Sequence, residues 1–95
     1  MHELKNAHIL VEGRVQGVGF RYFVKNLASE LRITGWVRNR FDDRVEILAQ
    51  GTPSDLTRFI AAVRVGPPSA QVTSLETDSP PIENRFERFS IAPSI

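Results

Sequence analysis

The sequence predicts an α+β fold, with two helices packed on one face of a four- to five-stranded antiparallel sheet. Two segments, residues 20–31 and 52–65, repeat apolar residues with the period of a helix. Short segments in which apolar and polar residues alternate lie before, between and after them. The order is β-α-β-β-α-β with an extra strand after the second helix, which is typical of the ferredoxin-like α/β sandwich. Residues 1–95 are expected to form this one domain.

The first strand and the first helix flank a short loop that contains glycine. After an irregular terminus over residues 1–5, apolar alternation predicts a strand over residues 6–13. His8 falls on the less buried face and is interpreted as a strand residue, because no second histidine or carboxylate is spaced to partner it. Arg32 follows the helix where glycine is common, so we expect a strained helix end there. One apolar stripe predicts the helix: Phe20, Phe23, Val24, Leu27, Ala28 and Leu31.

Two strands joined by an acidic turn are expected next, over residues 33–40 and 44–50. The turn, Phe41-Asp42-Asp43, is so short that the strands form an antiparallel hairpin. Its aspartates suit left-handed backbone geometry better than a metal site or an acid–base pair. Alternation puts Val37 and Asn39 on one face, so Asn39 lies on the helix side if Val37 does.

The opposite face of the second strand carries Trp36, Arg38 and Arg40. These side chains could in principle stack on and clamp a nucleic acid. One packed aromatic ring on a solvated charged face is the better account. Ten of the twelve basic residues are arginines, but the formal net charge of +1 gives no general case for nucleic-acid binding.

The rest of the chain supplies the second helix and two more strands. Thr52 is the predicted N-cap with Pro53 at the first helical position, and Gly66-Pro67-Pro68 ends the helix. A polar strand over residues 70–78 is expected near a sheet edge, and a closing strand over residues 86–91.

Composition excludes several classes of function. Without cysteine there is no disulfide, thiol nucleophile or thiolate metal site. No apolar run approaches the ~20 residues that a membrane span needs, so a cytoplasmic protein is expected. No Ser-His-Asp set, His/Cys/Asp metal spacing or lysine-bearing P-loop can be assembled. A protein without these groups can still catalyse a reaction by positioning the reacting group and neutralising its charge. Such catalysis suits a substrate with a good leaving group.

The loop from Val15 to Phe20 can perform that task. Gly17 and Gly19 allow positive φ, so successive backbone N–H groups can form a nest for an anion at a helix N-terminus. Arg21 can add bidentate contacts to two phosphoryl oxygens. A bare glycine motif is more often a simple turn. However, the helix dipole disfavours a positive side chain in the first turn, so Arg21 requires a negative partner.

Asn39 is the second candidate. Its neutral amide can accept a hydrogen bond from water and donate another, so it can orient an attacking water without adding negative charge. Taken alone, an asparagine chosen for a strand end is the commoner explanation. The two-helix sandwich brings the end of the second strand beside the loop, so we expect Asn39 to act with it.

Together these segments resemble the acylphosphatase family. Gly13-Arg14-Val15-Gln16-Gly17-Val18-Gly19-Phe20-Arg21 is followed by Gly35-Trp36-Val37-Arg38-Asn39 and by an acidic turn into Val45-Glu46. The similarity extends to the final Phe89-Ser90-Ile91. The resemblance implies a ferredoxin-like fold and hydrolysis of the carboxyl–phosphate anhydride of small acyl phosphates, without metal or cofactor.

The resemblance also implies which residues act. Arg21 matches the family's phosphate-binding arginine and Asn39 its water-positioning asparagine. The family usually has glycine at the positions of Arg32 and Asp43, and it varies at the position of Gly19, so Gly17 is the glycine expected to be essential. The substrate phosphate is expected on Arg21 and the matching loop: Val15, Gln16, Gly17, Val18, Gly19 and Phe20.

The expected partner is a small acyl phosphate, with inorganic phosphate or sulfate bound at the same loop. A monomer without nucleic-acid or membrane partners is expected. One alternative is a carbamoyl-phosphate-handling module, which resembles the N-terminal part of hydrogenase-maturation carbamoyltransferases; the absence of following domains argues against it. The other is a non-enzymatic anion- or RNA-binding domain of the same fold, which the near-neutral charge disfavours.

Overall fold

The computed structural model describes residues 3–95. The expectation for residues 1–5 therefore falls partly outside the described part, and Lys5 already belongs to the first strand. No helix within residues 3–95 is long and apolar enough to cross a bilayer. The elements, in chain order, are β1 (Lys5–Arg14), α1 (Phe20–Glu30), β2 (Thr34–Asn39), β3 (Val45–Gly51), α2 (Pro53–Val65), β4 (Gln71–Asp78) and β5 (Phe89–Ile91).

The five strands form one sheet in the order β4-β1-β3-β2-β5. The pairs β1–β3, β1–β4 and β2–β3 are antiparallel, as predicted. The prediction of a fully antiparallel sheet is wrong at β5, which runs parallel to β2. Three successive antiparallel pairings make β4 run opposite to β2. A chain that reverses direction after β4 and crosses to the other edge must therefore run the same way as β2.

Both helices pack on one face of this sheet, and the core lies between the two layers. Side chains on the inner face of the strands are fully buried, as Val37 and Ile47 illustrate. Phe20 of α1 and Phe59 of α2 are buried against them. Burial stabilises such side chains by about 1.5–3 kcal/mol each. Since Val37 lies in the core, the alternation of β2 places Asn39 on the helix side at the end of the strand, as predicted.

Positive backbone angles occur where the sequence suggested strain. Arg32 directly follows the C-cap residue of α1, Leu31, and has φ 61°, and Asp43 lies in the β2–β3 turn with φ 70°. Both residues stand in a left-handed conformation that glycine adopts more readily. The second helix begins as predicted, because the Thr52 side chain accepts a hydrogen bond from the Asp55 N–H over 3.2 Å.

The outer face of the sheet contains a charged cluster around Glu46. Arg38 Nε donates to Glu46 Oε1 over 2.8 Å, and Arg40 Nη1 lies 3.5 Å from the same oxygen. The Arg38 guanidinium also lies 4.4 Å from the Trp36 ring centroid. His8 lies on this face, as predicted, but the expectation that no carboxylate partners it is wrong: its Nε2 is 2.6 Å from Glu46 Oε2. The sheet supplies this partner from β3, which sequence spacing along β1 cannot show.

Candidate active site

The loop between β1 and α1 takes its shape from two glycines. Gly17 has φ 71°, and Gly19 has φ 75° with ψ 17°, so both are left-handed. No atom lies within 4 Å of the position that a Cβ would occupy at either glycine. The requirement for glycine is therefore one of backbone conformation and not of space. Because Gly19 meets the same conformational demand as Gly17, the structure does not single out Gly17.

The loop presents unpaired hydrogen-bond donors. Within the described part of the chain, the backbone N–H groups of residues 17–21 donate no hydrogen bond. Helix α1 starts from Gly19 without a side-chain cap and has no acidic residue in its first turn. Such N–H groups carry the partial positive charge of a helix N-terminus and attract anions. The loop therefore has free donors and a partial positive charge with which an anion can interact.

Side-chain hydrogen bonds hold the loop at both ends of its glycine turn. Gln16 Nε2 donates to Arg40 O over 2.8 Å and to Arg44 O over 3.0 Å, which ties the loop to the β2–β3 turn. On the other side, Ser69 Oγ donates to Val18 O over 2.8 Å. The Gln16 side chain thus anchors the loop, a role that the sequence had not suggested for it.

Arg21 adds a formal positive charge to the same place. It lies in the first turn of α1, is partly buried, and makes no ion pair within residues 3–95. The helix dipole disfavours a cation at this position by roughly 0.3–1 kcal/mol. An unpaired arginine beside unpaired N–H groups is stabilised when an anion binds between them.

Asn39 approaches the loop from the end of β2. Its backbone is fixed on both sides of the strand, by pairing with Val45 and by a 3.0 Å hydrogen bond from the Ile95 N–H to Asn39 O. Its side-chain Oδ1 is buried and accepts no hydrogen bond from any residue in the described range. An unsatisfied buried acceptor costs about 1–3 kcal/mol. The fold therefore retains a polar group that needs a donor from outside the protein.

These groups meet in one pocket of about 170 Å³. Chemistry rather than size distinguishes it, because a depression beside Arg32 and Arg88 reaches about 440 Å³. Of the predicted loop residues, Gln16 and Val18 do not line the pocket. The residues that do are Val15, Gly17, Gly19, Phe20, Arg21, Tyr22 and Asn39.

The pocket lining contains one residue that the sequence did not suggest, Tyr22, and it contains no carboxylate or imidazole. Tyr22 lines the mouth; its only signal in the sequence is its place beside Arg21, off the apolar stripe of α1. No histidine, aspartate or glutamate lines the pocket. Within residues 3–95, no group of three such residues is arranged to hold a metal ion.

Comparison with known proteins agrees with this geometry. The acylphosphatase family model matches residues 7–91. The chain belongs to the acylphosphatase family. An acylphosphatase of Bacillus subtilis strain 168 is 51% identical over 84 residues, which cover 87% of this chain and 91% of the relative. The sequence-based expectations of family, fold and enzyme class are therefore confirmed.

Solved acylphosphatase structures share the whole fold. The crystal structure of a Bacillus subtilis acylphosphatase matches with a TM-score of 0.90 and 46% identity, covering 95% of this chain and 99% of that one. A full-length HypF in the phosphate- and nucleotide-bound form matches with a TM-score of 0.91 and 28% identity. That match covers 99% of this chain but only 12% of the HypF chain. The acylphosphatase fold thus also occurs as a small part of a much larger protein.

Proposed function

We propose that this acylphosphatase hydrolyses the carboxyl–phosphate anhydride of small acyl phosphates to a carboxylate and inorganic phosphate. One observation carries the proposal: loop N–H groups, Arg21 and Asn39, none of which has a side-chain or loop N–H partner among residues 3–95, lie around a single pocket. The first two suit the charged end of the substrate, and the third suits the water that attacks it.

The loop and Arg21 bind the phosphoryl group. The N–H groups of Gly17, Gly19, Phe20 and Arg21, which line the pocket, donate to its oxygens, and the planar guanidinium of Arg21 makes a bidentate contact. Charge spreads over these oxygens in the transition state, so donors fixed before the reaction stabilise that state without reorganising.

Asn39 holds the attacking water. Its buried Oδ1 accepts a hydrogen bond from the water and directs the oxygen lone pair toward phosphorus. The new bond joins the water oxygen to phosphorus while the bond from phosphorus to the carboxylate oxygen breaks. One water proton ends on the product phosphate or in solvent. The carboxylate leaves as a weak base, so the reaction requires no general acid, and no histidine, aspartate or glutamate lines the pocket.

The proposal extends to the other expected partners. Inorganic phosphate or sulfate binds at the loop, because each has the same oxygens as the phosphoryl group. The chain acts as a cytoplasmic monomer of one domain, without a nucleic-acid partner. The engagement of Arg38 with Glu46 and Trp36 supports the last point, since it commits an outer-face arginine to the protein itself. Analytical sedimentation tests whether the protein is a monomer, and cell fractionation tests whether it is cytoplasmic.

The test compares pocket variants with matched controls elsewhere on the surface. Phosphate release is measured from acetyl phosphate, carbamoyl phosphate and a phosphate monoester, with EDTA present. We expect Arg21→Gln to lower kcat/KM by at least about 10³-fold, as charge-stabilising arginines do elsewhere. Asn39→Ala should lower kcat by about 10²-fold with little change in KM, because it acts on the water and not on binding.

The controls remove the same kinds of side chain outside the pocket. Arg64→Gln in the last turn of α2 and Asn26→Ala on the exposed side of α1 should retain wild-type kcat/KM. Calorimetry should show phosphate binding lost in Arg21→Gln and kept in Asn39→Ala. Turnover near the wild-type rate by either pocket variant contradicts the proposal. A clear preference for carbamoyl phosphate favours the carbamoyl-handling alternative.

A further inference from the structure

We propose that Tyr22 contacts the acyl group of the substrate and selects for acyl phosphates that carry an aromatic or bulky apolar acyl group. This inference rests on the proposed function. It assigns a residue to the part of the substrate that the phosphoryl site leaves outside.

Tyr22 lies at the mouth of the pocket and outside the core. It follows Arg21 in the first turn of α1, so the two side chains leave the helix about 100° apart. Its side chain lines the same pocket as Arg21 and Asn39, yet it is 66% exposed. Within residues 3–95 five large apolar or aromatic side chains are exposed, and only Tyr22 among them lines this pocket.

An exposed tyrosine by itself needs no function, because single apolar side chains are common on protein surfaces. Phe41 in the β2–β3 turn is such a residue, 85% exposed and outside the pocket lining. Tyr22 differs by its place. The Tyr22 hydroxyl makes no hydrogen bond to any described residue and the side chain is mostly exposed, so the ring is accessible to a ligand.

The proposal places the acyl group against the part of the pocket wall that Tyr22 forms, because Asn39 and Tyr22 line the pocket from different elements. In an in-line displacement, the leaving oxygen departs from the side opposite the attacking water. Asn39 holds that water from β2, whereas Tyr22 belongs to α1. The loop N–H groups and Arg21 take the phosphoryl oxygens, which leaves an aromatic face for the substituent beyond the carboxylate carbon. Aromatic rings pack well on other rings and on apolar groups.

The experiment compares kcat/KM for benzoyl phosphate with kcat/KM for acetyl phosphate. These substrates share the reacting group and differ in the acyl substituent. We expect the benzoyl-to-acetyl ratio to fall about fivefold in Tyr22→Ala, the size of a typical aromatic pair. The ratio should be kept in Tyr22→Phe, which preserves the ring, and in Phe41→Ala, which removes a more exposed ring outside the pocket. Acetyl phosphate turnover should stay within about twofold of the wild type in Phe41→Ala, because Phe41 lies outside the pocket lining.

The outcomes separate the two proposals. A wild-type protein that hydrolyses neither substrate overturns the proposed function. Hydrolysis of both with an unchanged ratio in Tyr22→Ala overturns the role of Tyr22 alone. A ratio that falls equally in Tyr22→Phe overturns the aromatic contact, because only the hydroxyl would then matter. An equal fall of the benzoyl-to-acetyl ratio in Phe41→Ala also overturns the proposal, because the effect would then not depend on a ring in this pocket.

Discussion

Replacing Gln16 by alanine should weaken both the fold and the site. In the wild type, the Gln16 amide donates to Arg40 O and Arg44 O, the two carbonyls that flank the β2–β3 turn. Arg40 directly follows Asn39, so this one side chain joins the loop between β1 and α1 to the strand end that carries Asn39. The alanine variant removes both bonds and leaves two partly buried carbonyls without this donor.

The structure sets the expected size of the effect. Each hydrogen bond contributes about 1 kcal/mol net, so the free energy of unfolding should fall by about 2 kcal/mol. A domain of this size has about 5–15 kcal/mol, so the variant should remain folded. A shift of about 1 Å in the loop relative to Asn39 can lower activity about 10²-fold. We therefore expect kcat/KM to fall by about 10- to 100-fold.

Urea denaturation and acyl-phosphate hydrolysis measure the two effects separately. Gln16→Glu should be worse than Gln16→Ala, because a carboxylate keeps the shape of the amide but cannot donate to the carbonyls. Thr57→Ala is the matched control, since it also removes one side-chain to backbone bond, to Pro53 O at the exposed start of α2. That control should leave kcat/KM unchanged.

Two results would refute this reasoning. A Gln16→Ala protein as stable as the wild type would show that the two hydrogen bonds contribute nothing net. A protein about 2 kcal/mol less stable but with wild-type kcat/KM and phosphate affinity would show that Gln16 holds the turn and not the site. Either result would leave the loop positioned by its buried ends and by Ser69.

Two further predictions concern stability. Burial raises the pKa of Glu46, but its hydrogen bonds with His8 and Arg38 outweigh burial and lower the pKa overall. Glu46→Gln should therefore be less stable than the wild type by about 2 kcal/mol at pH 7. This difference in stability should vanish as the pH falls below the ordinary pKa of glutamate and through the lowered pKa of Glu46. Urea titrations from pH 7 to pH 3 measure the difference, and one that grows in acid contradicts the prediction. Arg32→Gly and Asp43→Gly should each raise the free energy of unfolding by about 0.5–1 kcal/mol, because they relieve left-handed strain at the expense of some backbone entropy. Thermal denaturation tests this prediction. A lowered melting midpoint with unchanged kcat/KM would count against it.

Local patterns in the sequence determined most of the elements. The apolar stripe of α1, the Thr52 cap and the β2–β3 turn depend on residues a few positions apart, so their periods and residue types were sufficient. The same holds for the loop, because left-handed glycines followed by Arg21 at a helix start form a local motif. Strand alternation also placed Asn39 on the helix side once Val37 was assigned to the core.

Only the tertiary structure decided which distant groups meet. The partners of Gln16 lie 24 and 28 residues away, and Glu46 lies 38 residues from His8. The parallel pairing of β5 depends on the directions of all the other strands. The unpaired Oδ1 of Asn39 is likewise visible only when every neighbour is in place. A linear sequence pattern cannot specify such contacts, because they depend on side-chain directions and on the packing between elements. The sequence thus determined which residues form the site, and the fold determined how they come together.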